Sequence, residues 1–385
     1  MTAMTELFDL YLDANIVLAV VAVIWVTVRI MLRLTPLRQA YPLHLRLVYA
    51  LLAAIALVPF GVLALDLARG AGIVDKTAAL NLSDIAVAQF LNGHIAMSPL
   101  AFEGLLSWRD GFTHAVVSMS GVVGIAVALA LVSGGALVLW RCVQNLRLVH
   151  GLITRSYKWR RFGKVEFRLT DETHVPFSTR GLLRHYIVLP SALLAREHDL
   201  RVAISHELQH IRQGDLGWAL IIEALRPLFF WNPAYLFWRR EAERLRELAC
   251  DQQVLARGRF DVRSYCDCLI RVCRNSLRND RDVQIGVPAV SLVPMRVATA
   301  GCRAASTLES RVLSMLRTPQ RTRRRPSATG RAMTGMMTAC CVTALLIVAV
   351  SAQRSGDWSH DRLMLSTIVN LERLAQHNGS VPRGW

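Results

Sequence analysis

Apolar residues fall in blocks along this chain, and the blocks outline its architecture before any single residue does. Four runs are long enough to cross a bilayer as helices, which takes about 20 residues. They are Ile16 to Leu34, Leu47 to Leu67, Val116 to Leu139 and Met333 to Val350. A fifth run, Leu216 to Trp238, contains Glu223, Arg226, Pro227 and Pro233, which makes it a poor simple span. It is expected as a re-entrant or interfacial hairpin broken near the prolines. Its aromatics (Phe229, Phe230, Trp231, Tyr235, Phe237 and Trp238) suit the headgroup region and a buried helix pair equally well. Between the runs, Leu200 to Ile211 reads as a helix with one apolar side, and Arg240 to Ala256 as a strongly helical stretch. His185 to Leu189 (HYIVL) reads as a strand, expected at a sheet edge where it would hold an extended peptide by backbone pairing.

Composition agrees with the pattern. Of 385 residues, 53% are hydrophobic and only 19% charged, against about 25% charged in soluble domains. The mean hydropathy is +0.33. Disorder, collagen-like repeats and a small disulfide scaffold are excluded, and an integral membrane protein is expected. The acidic start (Glu6, Asp9, Asp13) is unlike a cleaved signal peptide, so the first run is expected to stay attached.

The net charge of +17 raises nucleic acid as a partner. The basic residues instead cluster beside the apolar runs, as cytoplasmic loops do, so no direct nucleic-acid binding is expected. Arg29, Arg33, Arg38 and Arg46 flank the first loop with no acid among them. Arg141, Arg147, Arg155, Lys158, Arg160, Arg161 and Lys164 follow the third run, and Arg317 to Arg331 contribute six arginines before the last. Residues 141–331 are therefore assigned to the cytoplasm, and both termini to the outside of the cell inner membrane. The resulting organisation has a three-helix membrane region at 1–140 and a cytoplasmic domain at 141–331 with the membrane-associated segment 216–238. A last span at 332–351 and a short external tail at 352–385 complete it. Most of the eight cysteines lie on the cytoplasmic side, where reduced thiols are the default. They read as small helix-packing residues.

Chemistry concentrates at His206-Glu207-Leu208-Gln209-His210, an HExxH sequence. Residues four apart share a helix face. His206 and His210 can therefore meet one metal ion, with Glu207 within reach of water beside it. Catalytic zinc takes three protein ligands and keeps an open position. Arg246-Glu247-Leu248-Ala249-Cys250-Asp251 offers Glu247 as the third and Asp251, one turn on, to orient an imidazole. The plain alternative for Glu247 is a solvated carboxylate paired with Arg244 or Arg246; for Glu241 and Glu243 such pairing is the preferred reading.

HELQHIRQGD, the proline-broken aromatic stretch and RELACD together resemble the membrane metallopeptidases of the beta-lactam sensor-transducer family, the antirepressors of penicillinase and methicillin-resistance operons. His174 to Phe177, Gly181 to Leu183 and Ile187 to Pro190 are similar to the strand before that family's zinc helix. Leu308 to Leu313 is similar to its closing segment. The resemblance covers about residues 115–350. It implies a mainly α integral membrane protein with about four transmembrane helices, a re-entrant or interfacial hairpin and a gluzincin-like α+β zinc protease domain. It implies Zn2+ at His206, His210 and Glu247, Glu207 as general base toward zinc-activated water, and an accessory role for Asp251.

The implied activity is cleavage of a cytoplasmic transcriptional repressor, of the chain itself within its long loop, or of both. The bilayer and that repressor are the expected partners, and a second copy of the chain, as a homodimer, is a further candidate. The penicillin-binding sensor domain of known members is expected to be lacking: residues 352–385 hold Ser366 but neither Ser-x-x-Lys nor Lys-Thr-Gly. A non-catalytic zinc-binding receptor or scaffold is the alternative, and Glu207 weighs against it because a structural site needs only ligands. A transporter is disfavoured because the apolar runs hold almost no ionisable groups away from their ends.

Overall fold

A computed structural model describes residues 2–53, 82–181, 183–278, 289–291, 301–317 and 358–377. The chain is mostly helical with one small sheet, and it divides into two compact units. The first comprises residues 1–21, 50–133 and 336–385, and the second residues 22–49 and 134–335.

Helices α1 (Thr2–Arg33) and α5 (Gly121–Arg155) are long and apolar enough to cross a membrane. Only 17% of the most apolar window of α5 is buried against protein, and Val122, Val123, Leu129 and Val132 lie open. A soluble core helix would hide such residues; hydrocarbon is the solvent that suits them. At 1.5 Å per residue α5 runs about 50 Å, well beyond the roughly 30 Å of a hydrocarbon core. The second run is helical over residues 41–53, here α2; its continuation and the fourth run lie outside the described residues.

The first unit holds helices that hydrophobic blocks did not announce. Helix α3 (Leu82–Leu91) and α4 (Pro99–Val117) fill the loop after the second run. Ser98 caps α4, and Pro99 occupies a first-turn position where its missing N–H costs nothing. Helix α11 (Trp358–His377), in the expected tail, packs Leu365 and Val369 against Val87, Phe90 and Phe102. The Leu100 N–H donates to Glu372, Arg373 pairs with Glu103, and Arg109 pairs with Asp13 near the N-terminus.

In the second unit the sheet runs β1 (Tyr157–Phe162), β2 (Val165–Thr170), β4 (His185–Pro190), β3 (Phe177–Arg180), β5 (Ala289–Ser291) from edge to edge. Strand β4 pairs in parallel with β2 and antiparallel with β3. This corrects the expected edge position of HYIVL: β4 is the central strand, and β1 and β5 are the edges. The reason is visible in its side chains. Ile187, Val188 and Leu189 are all fully buried, as in a strand covered on both faces. Ile187 and Leu189 pack with Ala203 of the following helix, while Val188 packs with Val149 and Leu152 of α5.

Helix α6 (Glu197–Gln213) begins with Glu197 and Asp199 in its first turn, which complement the helix dipole. It ends at Gly214, whose φ of 75° closes the C-terminus in the left-handed region. Helices α7 (Asp215–Phe229) and α8 (Pro233–Leu255) are separated at Phe230 to Asn232, near Pro233 as expected, with Asn232 capping α8 and Pro233 in its first turn, while Pro227 lies inside α7. Phe229, Tyr235 and Trp238 are buried in protein, whereas Trp231 and Leu228 are exposed. Trp25 of α1 lies near Trp238, and Arg29 pairs with Glu241 of α8. Helices α9 (Val262–Arg278) and α10 (Gly301–Arg317) close the unit, with Cys250, Cys266, Cys268 and Cys273 packed as small apolar groups around Tyr265 and Leu269. Among the described residues, Cys142, Cys250, Cys266, Cys268 and Cys273 form no disulfide.

The docking of α11 is testable. Leu365→Ala should cost roughly 2–5 kcal/mol of local stability and release the helix, so limited trypsin digestion of the membrane-inserted chain should cut at Arg373 sooner than in wild type. Unchanged protection would show that α11 is held by something other than this apolar contact.

Candidate metal centre

Helices α6 and α8 carry the expected site residues, and the fold brings them together. The Nε2 atoms of His206 and His210 stand 3.0 Å apart, their rings at 83°. Glu247 of α8 faces both: Oε2 lies 3.5 Å from His206 Nε2, and Oε1 lies 3.6 Å from His210 Nε2. Three groups from two helices thus converge on one point.

The far side of each imidazole is tied down, which sets its tautomer. The Tyr265 hydroxyl donates to Asp251 Oδ1 at 2.8 Å and stands 2.9 Å from His206 Nδ1. Since its proton goes to Asp251, it accepts the Nδ1–H of His206. His210 Nδ1 donates to Asp215 Oδ2 at 2.8 Å. Both Nε2 lone pairs are left facing Glu247, the arrangement a metal needs.

Asp251 occupies the expected orienting position, one turn beyond Glu247 and 3.4 Å from His206 Nδ1. Glu247 does not pair with Arg244 or Arg246 as its plain alternative supposed. Its cationic neighbour is Arg311 of α10, at 3.0 Å from Oε2. Arg311 is 1% exposed and grips Asp251 with two further bonds of 2.8 and 2.7 Å. Burial alone would raise both carboxyls. The Arg311 guanidinium, helped by the imidazoles, instead holds Glu247 and Asp251 below the usual carboxylate range. Glu243 pairs with Arg239 as a half-solvated carboxylate, as its plain reading expected, whereas Glu241 pairs with Arg29 and Arg244 but is buried rather than solvated.

Glu207 behaves differently. It is wholly buried and among the described residues neither oxygen has a hydrogen-bond partner; the Ser178 hydroxyl of β3 approaches without completing a bond. Burial pushes its pKa up to about 7, against the pull of the two imidazoles. A partnerless buried carboxylate is costly and marks a place where a cation or a proton belongs.

The charges of the centre point the same way. Glu207, Asp215, Glu247 and Asp251 are buried carboxylates, and among the described residues Arg246 and Arg311 are the buried guanidiniums beside them. The shortfall is two positive charges. Burial opposes charge on His210, yet Cys250, Asp215 and Glu247 push its pKa up to about 10. The residues present therefore fit a divalent metal.

Sequence reading missed several contributors. Cys250 Sγ lies within 4.8 Å of ligand atoms of both imidazoles, making a His–His–Cys cluster. Its thiol donates to the His206 carbonyl at 3.4 Å and neighbours Nδ1, the nitrogen turned away from Glu247. Asp215 and Arg311 sit inside motifs already noticed, HELQHIRQGD and LESRVL, where their types and spacing were a signal. Tyr265 gave none.

A protein-family model described as BlaR1 peptidase M56 matches residues 10–291. No curated protein gives a significant match.

The burial of Glu207 has a pH signature in the metal-free chain. Its folded pKa of about 7 stands above the ordinary 4.5. Its contribution to stability is therefore complete below about pH 4.5 and is lost as pH rises through about 7, on the order of 3 kcal/mol in all. Thermal unfolding of metal-stripped protein should show wild type losing stability relative to Glu207→Gln across that window. A difference that does not vary with pH would mean the carboxylate is solvated.

Proposed function

This chain belongs to the BlaR1 peptidase M56 family, the membrane metallopeptidases of signalling, and on that premise we propose that it is a zinc-dependent endopeptidase of HExxH…ExxxD type. The observation that carries the reading is the convergence of His206, His210 and Glu247 beside a buried Glu207 that has no partner of its own. We assign His206, His210 and Glu247 as ligands of the metal. Bound zinc supplies Lewis acidity, polarising a scissile carbonyl and acidifying water. Glu207 would accept the water's proton and pass it to the leaving amine nitrogen. Tyr265, Asp251 and Asp215 hold the imidazoles in the tautomers described above, and Arg311 keeps Glu247 ionised.

The substrate is a protein chain in extended form: a cytoplasmic repressor, the chain itself, or both. Self-cleavage draws support from β5, which lies antiparallel on β3 with Val290 opposite Ser178. That register brings an extended stretch of this chain to the strand whose serine approaches Glu207. The proposed topology places residues 141–331 in the cytoplasm and both termini outside. The partition into units supports it, since α3, α4, α11 and the N-terminus group together, apart from the HExxH helix.

Three measurements test these readings. Purified protein should hold about one zinc per chain. His206→Ala and Glu247→Ala should lose it and Cys250→Ser should keep it; the reverse order for the last two would make Cys250 the third ligand. Glu207→Gln should keep zinc yet lose cleavage of the chain and of any repressor by about 10²–10⁴-fold. Full signalling in that variant would favour a receptor or scaffold over a peptidase. Reporter fusions after Arg161 and after Arg325 should read the same, cytoplasmic side; opposite sides would make the 216–238 hairpin a true crossing.

A further inference from the structure

Asp215 holds His210 with one carboxylate oxygen, and the other faces a residue from outside the protease helices. The Tyr49 hydroxyl of α2 donates to Asp215 Oδ1 at 3.4 Å. It in turn accepts from Arg246 Nε at 3.3 Å. The donors run in one direction without conflict: Arg246 to the Tyr49 oxygen, Tyr49 to Asp215, with His210 Nδ1–H arriving at Asp215 from the other side. Tyr49 is 6% exposed, and its ring stacks on Trp218 of α7, with centroids 4.6 Å apart and planes at 8°. Ring and hydroxyl are therefore fixed independently.

The position of this tyrosine in the chain gives the arrangement its meaning. Tyr49 lies within the apolar run Leu47 to Leu67 that reads as the second membrane span. Asp215 opens α7 directly after the HExxH helix, and Arg246 immediately precedes Glu247 on α8. One hydroxyl on this helix thus joins α8, which carries Glu247, to the carboxylate at the head of α7 that holds His210.

We propose that Tyr49 is a positioning residue for the metal centre: through Asp215 it fixes the orientation of His210, and so makes the metal affinity of the site depend on where the second span stands. The inference rests on the metal reading above, and deepens it by naming the membrane element that the site answers to. A displacement of α2 along its axis would leave Asp215 Oδ1 and Arg246 Nε without their shared partner. The imidazole of His210 would then be held by one oxygen of a freed carboxylate.

The test uses the full-length chain in detergent, stripped of metal and titrated with Co2+ alone against a chelator. The visible absorption of the bound cobalt reports the geometry of its ligands. Tyr49→Phe keeps the ring on Trp218 and removes only the hydroxyl. It should weaken cobalt binding about tenfold, the lower end of what losing an outer partner costs, and change the visible band, beyond what the fall in metal-free Tm from the two unpaired buried groups accounts for. Tyr49→Leu should weaken cobalt binding as much and lower the metal-free Tm further. Wild-type affinity and spectrum in Tyr49→Phe, or a loss of affinity that only tracks a fall in metal-free Tm, overturns the proposal. His210→Ala separates the two levels of inference. It should abolish cobalt binding, and if it does while Tyr49→Phe has no effect, this inference fails alone. If His210→Ala binds cobalt normally, the metal reading fails and this inference falls with it.

Discussion

The second unit is organised around an excess of buried negative charge. Four carboxylates from α6, α7 and α8 lie within a core where unpaired charge costs several kcal/mol per ion. The surrounding structure follows from that cost. Arg311 must come from α10 to grip Asp251 and face Glu247, which is why a segment distant in sequence packs against α8 and α9. Arg246 turns toward Asp215 and Tyr49 rather than toward its neighbour Glu247. Among the described residues Glu207 receives no guanidinium, and burial raises its carboxyl toward the protonated form. A hydrophobic replacement of the whole cluster would pack with less penalty, so the cluster is explained by what it binds rather than by stability.

The parts of this arrangement that could be read in the sequence are those governed by helix geometry. His206, Glu207 and His210 share one turn of α6, and Glu247 and Asp251 one turn of α8, so spacing alone put each set on a common face. The break near Pro233 was legible for the same local reason, since Asn232 and Pro233 are a cap and a first-turn residue. What could not be read was long-range. Nothing local in LESRVL tells that Arg311 is swallowed whole by the site 60 residues upstream. The rank of β4 within the sheet was equally hidden. Its unbroken apolar run Ile187-Val188-Leu189 was a sign of burial on both faces, but an edge strand was expected from the substrate chemistry rather than from the pattern. Helices α3, α4 and α11 escaped because their apolar faces are narrow and interrupted by charge. They are stabilised by one another, through Phe90, Phe102 and Val369, rather than by a bilayer.

The hydrophobic blocks were most informative where the solvent is lipid and least where it is the protein itself. Helices α1 and α5 present Val, Ile and Leu to the outside over most of their length, and this made them conspicuous. The aromatic run 216–238 was ambiguous for a physical reason. Tyr235 and Trp238 serve as core, whereas Trp231 and Leu228 are exposed, so one stretch does both jobs. Trp25 and Arg29 on α1 meet the same helix, α8, through a ring contact and an ion pair. The helix that carries Glu247 is therefore braced by a residue pair from the first span about one and a half turns before the ligand.

That bracing bears on how such a site could be controlled. A buried polar network tolerates little deformation, because each donor or acceptor deprived of its partner costs about 1–3 kcal/mol. The contacts Arg29–Glu241 and Tyr49–Asp215 connect span helices to α8 and α7, and both belong to buried or half-buried groups. The cost of breaking one of them is comparable to the coupling energies of known allosteric systems, about 1–3 kcal/mol or 5–150-fold. No large movement of the protease helices is required, since the Asp215 carboxylate has only to rotate for His210 to lose its fixed orientation. The proposed metal ligands themselves need not be touched. On the proposed reading, α1 and α2 would act on the metal through the hydrogen bonds that hold its ligands, while every apolar contact of the core stays in place.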